Sequence, residues 1–268
     1  MQREILLQTY SDTASCIATA VNMERDLWDR KSDDTDFLSL RIGSGEVKSC
    51  TTIRVPKEVL TLESDCFSSY PAKIESEHKT VANCPITFDV LRSVTGGFIG
   101  ECSDVLRLVC NLIAQANAHH SYDDLKIITI CSDDELDERK FIKWLPHSFD
   151  DTRTQRYIVC GHNHAEKLLV QLEDELAQRS RGAVVCNEKR ISPQLPYLLF
   201  ICADFTIFHN SGIMKYLLNA SPNMGVGALF LFDSLDNLPK ECNTIIEVSG
   251  DNGTIYPREN IDALQKFV

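Results

Sequence analysis

The chain has 268 residues, a hydrophobic fraction of 43% and a formal net charge of -12. That length and composition support a globular unit with a substantial core. The acidity argues against nucleic acid as the main partner, because a protein that tracks a phosphate backbone needs clustered Lys and Arg.

Residues Gln2 to Arg30 read as helical, with Ile17, Ala20, Val21, Leu27 and Trp28 on one apolar face and Ser11-Asp12-Thr13 capping a second helix. The first helix begins at Met1, as expected of a boundary inside a longer helix. A β-rich stretch follows. Phe37 to Ile42 alternates apolar and polar residues and is expected to stop at Gly43-Ser44-Gly45. Thr51 to Val55 is expected as a strand ended by Pro56, and Pro85 to Val90 as another. Val59 to Tyr70 is ambiguous, and Glu63 to Lys79 reads as loop or weak helix.

A short strand, Phe98-Ile99, then ends at Gly100, and an amphipathic helix runs from Ser103 to Ala118. Its apolar positions, Val105, Leu106, Val109, Leu112, Ile113 and Ala116, recur at helical spacing. Strands are expected at Leu125 to Ile130, Arg156 to Cys160, Tyr197 to Asp204, Val226 to Phe232 and Thr244 to Val248. Helical pieces are expected at Arg139 to Trp144, Asn163 to Arg181 and Ile213 to Asn219. This alternation predicts a three-layer α/β fold whose sheet is mainly parallel.

Eleven cysteines, with no C-x-x-C pair, lie mostly in apolar settings such as Cys110, Cys131, Cys160 and Cys202. They read as small hydrophobes of a reduced cytosolic protein, and a zinc site is not expected. No apolar run reaches the ~18 residues of a membrane span, and no signal-peptide pattern opens the chain. The acidic runs Asp133-Asp134-Glu135 and Glu173-Asp174-Glu175 read as solvated surface.

Strand, glycine, helix is the layout of a phosphate-binding loop. The loop chemistry is missing. With Gly100 as first glycine, Val105, Leu106 and Arg107 stand where Gly, Lys and Ser/Thr are needed. With Gly96 first, Glu101 and Cys102 replace Gly and Lys. The expectation is a nucleotide-hydrolase fold with a degenerate loop. Its nucleotide-site positions would be Gly97, Gly100, Glu101, Ser103, Asp204 and Asp233. Asp204 ends an apolar strand, where an ATPase places its Mg²⁺-shell carboxylate, but Phe205 follows instead of a second acid. The alternative for Asp204 and Asp233 is a carboxylate that caps the next turn. Cys160-Gly161-His162-Asn163-His164 has the G-H-x-H form of a metal site, yet the further motifs such a site needs are missing, and a helix cap is the favoured reading. No catalytic residue and no metal ligand is assigned.

Several stretches together resemble one family. Leu27-Trp28-Asp29-Arg30 followed by Asp36 to Gly45 is similar to the "LWxR…DFLxxRxGxG" signature of the EssC/EccC proteins, the FtsK/SpoIIIE-type ATPases of type VII secretion. Val81 to Val90, His120 to Lys126, Lys143 to His147 and Asp233 to Ile246 extend the resemblance along the chain, closest to the EssC form of type VIIb systems. The resemblance implies a RecA/FtsK-like domain, the first on the cytoplasmic side after two membrane helices. Residues 1–30 would be a helical stalk-like segment and 31–268 the ATPase-like domain, with a β-rich entry at 37–90. Implied partners are the downstream ATPase domains of the same chain, other secretion-membrane components and further copies in a ring. The implied location is the cytoplasmic face of the cell membrane. Leu27 and Trp28 are candidate stalk or interface residues. No cofactor is expected; Mg-ATP would bind only on the alternative reading, a divergent site using Gly100, Ser103 and Asp204 for weak ATP binding or hydrolysis.

Overall fold

In the computed structural model the described residues are 1–55, 70–132, 140–160, 162–182, 192–208 and 211–268. The expectations for 59–69, for the acidic run at 133–135 and for residue 161 fall outside them, as do the side chains of 162–166.

Among the described residues ten strands form one sheet in the order β2-β1-β10-β9-β8-β3-β7-β6-β4-β5. Six of them make a parallel block: β8 (Thr244–Ser249), β3 (Thr95–Gly100), β7 (Val226–Phe232), β6 (Tyr197–Cys202), β4 (Leu125–Ile130) and β5 (Ile158–Val159). The strands β4 and β6 are buried at every residue, as expected for a sheet covered on both faces. Along β6 the side chains alternate between two cores. Leu199 and Ile201 pack with Leu112 and Val109 of helix α5 (Cys102–His119) on one face. Leu198, Phe200 and Cys202 pack with Leu168, Leu172 and Leu176 of helix α6 (His162–Gly182) on the other. All six apolar positions predicted for α5 are buried.

The other end of the sheet is antiparallel and differs from the sequence reading. β1 (Ser39–Lys48) runs through Gly43-Ser44-Gly45 instead of stopping there, and β2 (Thr80–Asp89) starts before Pro85. Short helices α3 (Tyr70–Glu77) and α4 (Val90–Ser93) stand before and after β2 in the chain. Two further strands, β9 (Asn252–Pro257) and β10 (Gln265–Phe267), follow β8. β10 lies between β9 and β1 and closes the gap between the β1–β2 hairpin and the rest of the sheet. The glycines in β1 permit this. A Cβ on Gly45 would come within 2.2 Å of the Lys266 carbonyl oxygen, and one on Gly43 within 2.7 Å of the Phe267 ring. These glycines therefore mark close backbone approach and not a strand end. Residues 51–55 form no strand.

The N-terminal segment is two short helices and a turn, not one helical run to Arg30. Helix α1 (Gln2–Thr9) precedes α2 (Thr13–Asn22), whose N-cap Asp12 accepts from the Ser15 N–H at 2.8 Å. Left-handed Met23 ends α2. The face of α2 turned to α5 carries small residues: Thr13 approaches Gln115, and the buried Cys16 lies 3.5 Å from the His119 ring nitrogen. The apolar face predicted from Ile17, Ala20 and Val21 is therefore exposed, with Ile17 at 50% and Val21 at 75% accessibility. Leu27 and Trp28 are half-buried. The Trp28 backbone N–H donates to the Ala118 carbonyl and its indole N–H to the Asn117 carbonyl, both at 2.9 Å. Buried Arg30 then fastens the segment, donating to the carbonyls of Thr9 at 2.7 Å and Ser39 at 2.9 Å and pairing with Asp36 at 3.2 Å. Among the described residues no helix is long and apolar enough to cross a membrane.

Candidate functional site

The carboxyl ends of β3, β6 and β7 meet at one edge of the sheet, with β7 between the other two. In α/β sheets this edge is where ligands bind. A cleft of about 420 Å³ opens there, lined by Gly100, Cys102, Val105, Ser132, Asp204, Phe205, Phe232 and Asp233 among others. Gly100, Asp204 and Asp233 are thus brought together. Glu101 and Ser103 sit on the exposed start of α5 and do not line the cleft. Gly97 lies deeper in β3, where a Cβ would come within 2.3 Å of the Leu238 side chain; it serves packing at that point.

The turn between β3 and α5 decides what the cleft can hold. Strand β3 ends at Gly100 and α5 begins at Cys102, so Glu101 alone connects them. A phosphate-binding loop needs several residues between strand and helix, so that successive backbone N–H groups surround the anion. Here the first turn is already closed: the N–H groups of Asp104 and Val105 both donate to the Glu101 carbonyl at 3.0 Å. Gly100 has φ +151°, and a Cβ there would lie 2.3 Å from the Val248 carbonyl oxygen. Its role is to let β3 approach β8 while the chain turns directly into the helix.

The first turn of α5 is also tied to the β8–β9 hairpin. The Asp104 carboxylate accepts from the Gly250 N–H at 2.7 Å, while Arg107 donates to the Gly250 carbonyl at 2.7 Å and pairs with Asp251 at 3.3 Å. Arg107, which stands at a hydroxyl position in one loop register, therefore points at the hairpin. Sequence reading missed this lock, since nothing local links residues about 145 apart.

Both acids of the cleft hold turns. Asp204 accepts from the Thr206 N–H at 2.9 Å and from its hydroxyl at 2.6 Å, which caps the short helix α7 (Phe205–Phe208). Asp233 accepts from the Asn237 side-chain amide at 3.0 Å. The Phe205 and Phe232 rings meet at 5.6 Å between them. Among the described residues that line the cleft none is Lys, Arg or His. Among the described residues a triphosphate would meet two carboxylates and an aromatic pair and no cationic side chain to offset its charge. Among the described residues no group of three or more His, Cys, Asp or Glu is gathered as metal donors.

A parallel sheet flanked by helices, with a glycine turn into α5 and a carboxylate two strands away, defines an α/β domain of the RecA/FtsK-like class. No family model matches the chain. It is 24% identical over 247 residues to the ESX secretion system protein EccC of Geobacillus thermodenitrificans, covering 92% of this chain and 16% of that protein. It is 22% identical over 245 residues to the type VII secretion system protein EssC of Staphylococcus aureus, covering 90% of this chain and 16% of that protein. Among solved structures it is similar to EssC (ATPases 2 and 3) from Geobacillus thermodenitrificans, with a TM-score of 0.55 and 12% identity, covering 91% of this chain and 46% of that one. The resemblance to the EssC/EccC proteins of type VII secretion thus extends over about nine-tenths of the chain, and the fold is shared with an ATPase pair of that family. The chain spans 16% of the length of these sequence relatives.

Proposed function

We propose that this domain is a non-hydrolysing coupling and assembly element of a type VII secretion motor. On this reading it links a membrane stalk, through residues 1–30, to downstream ATPase domains at the cytoplasmic face of the membrane, in a ring of copies. The likeness to EccC and EssC supports the secretion context. The observation that carries the non-hydrolysing part is the single-residue turn at Glu101, which leaves no backbone cradle and, among the described residues of the cleft, no lysine for a triphosphate. Each charge-assisted hydrogen bond that a phosphate would forgo here is worth about 1.5–3 kcal/mol. The scaffold survives because its sheet and its tied first turn of α5 make a stiff body through which movement can pass between neighbours.

Thermal unfolding of the chain with and without Mg-ATP tests this. No shift is expected at millimolar nucleotide. A site binding a hundredfold tighter than the ligand concentration would add about 2.7 kcal/mol and raise the midpoint by roughly 5–10 °C. A shift of that size would favour the alternative, a divergent nucleotide site at the Gly100–Asp204 cleft.

A further inference from the structure

The far end of the sheet carries a surface with a different character from the rest of this acidic chain. Beyond edge strand β5, a 3₁₀ turn (Lys140–Trp144) leaves Trp144 73% and Phe141 43% exposed. The Arg156 guanidinium lies between two rings, 5.3 Å from the centre of Trp144 and 5.2 Å from that of Phe149. Phe149 and Arg156 face each other across an isolated antiparallel bridge, which fixes that stack. Arg153, in a turn with φ +55°, lies 5.5 Å above the Tyr122 ring.

Both arginines are exposed, and among the described residues neither has a carboxylate within ion-pair distance. The acids beside them are committed elsewhere. Asp150 accepts from the Thr152 hydroxyl, from the Gln155 N–H at 2.8 Å and from the Thr154 hydroxyl, which hold its carboxyl below the usual range. Asp151 pairs with the buried Lys126 at 2.9 Å. Each guanidinium lies over an aromatic face while its side chain stays exposed, so its N–H groups can receive a carboxylate, in bidentate fashion where the geometry allows. Trp and Arg are also among the residue types enriched at the points that dominate protein contact energies.

We infer that Trp144, Phe141, Arg153 and Arg156 form a docking surface for an acidic polypeptide segment that carries an apolar side chain. The carboxylates would engage the two arginines and the apolar residue would lie on Trp144 and Phe141. Charge decides in favour of a peptide over a lipid surface or a nucleic acid. A narrow segment can meet the arginines alone, whereas an extended anionic surface also meets Asp150 and Asp151 and the field of a chain with net charge -12.

The test uses the 268-residue chain and a synthetic peptide of Glu and Leu, with a Gln/Leu peptide, an oligothymidylate and phosphatidylglycerol vesicles as comparisons. Binding is read by calorimetry and by tryptophan emission. The Glu/Leu peptide is expected to bind at low salt, to perturb the emission of Trp144 and to outcompete every comparison. Arg153→Gln with Arg156→Gln is expected to weaken it by about tenfold or more, the effect of removing a charge-assisted hydrogen bond. Arg153→Gln alone, whose side chain is outside the Trp144–Phe149 stack, keeps the test valid should the double variant unfold. No binding, equal binding by the Arg153 variant, or tighter binding of the oligonucleotide or vesicles would overturn the assignment.

Discussion

Asp204 shows how position and chemistry can part company. It stands two residues past β6, near the place where a nucleotide hydrolase carries its metal-shell acid, yet its carboxylate already holds two groups of Thr206. The prediction follows from those bonds. Asp204→Ala should lower stability by about 1 kcal/mol, the usual loss of a helix cap. It should leave any trace ATPase rate of the preparation unchanged. A variant that melted like the parent but lost a measurable ATPase rate would show the carboxylate working on nucleotide instead. Gly100 makes the complementary point: its backbone angle and the nearby Val248 carbonyl demand glycine for sheet packing alone, so a glycine there is no sign of phosphate.

At the scale of elements, the parallel block was legible from sequence, while at the antiparallel end only parts of β1 and β2 were, and β9 and β10 were not. Strands β4 and β7 and the buried face of α5 follow from largely apolar, β-branched or aromatic runs and a helical period, signals that lie wholly within each segment. The gathering of Gly100, Asp204 and Asp233 in one cleft followed from strand-end positions for the same reason. β1 and β10 depend on each other. Glycines that read as a stop are the positions where a strand over 200 residues away comes in. α2 was misread for a related reason, since small Thr13 and Cys16 approach α5 more closely than Ile17 or Val21 could. Trp28 is the clasp of this unit, with its backbone and its indole both bonded to the last turn of α5 and its ring edge-on to Tyr122 at 5.3 Å. Trp28→Phe keeps the ring packing and loses the indole bond, so denaturant melts should show a loss of about 1 kcal/mol. Trp28→Ala removes both and should lose about 3 kcal/mol. Equal losses for the two would mean that the indole bond contributes nothing.

The whole molecule should respond to pH through a connected set of buried and half-buried histidines where the N-terminal segment, α5 and β4 converge. His120 is fully buried; its Nε2 accepts from the Leu38 N–H at 3.0 Å and its Nδ1 lies 3.1 Å from the Ala116 carbonyl. His147, also fully buried, bonds the His120 carbonyl at 2.7 Å, and its Nδ1 has no partner among the described residues. Burial lowers the pKa of His120 to about 3 and those of His147 and His119 to about 4. Neighbouring Arg30 (for His119 and His120) and Lys126 (for His147) push in the same direction. The unfolded chain takes up these protons near pH 6.5 while the folded chain refuses them, so the unfolded state binds more protons as pH falls. Stability is therefore complete above about pH 6.5 and declines between there and about pH 4, by up to ~1.4 kcal/mol per pH unit for each histidine. Protonating His120 would also set two donors against each other at Leu38. Urea melts between pH 7.5 and pH 4.5 should show this decline with a slope of two to three protons. His147→Gln should reduce that slope by about one proton, because the proton refused at its unpartnered Nδ1 is no longer available to the unfolded chain. A flat profile across this window would mean that the cluster opens to water and charges within the folded state, and would remove the histidines as the link between the N-terminal segment and the sheet.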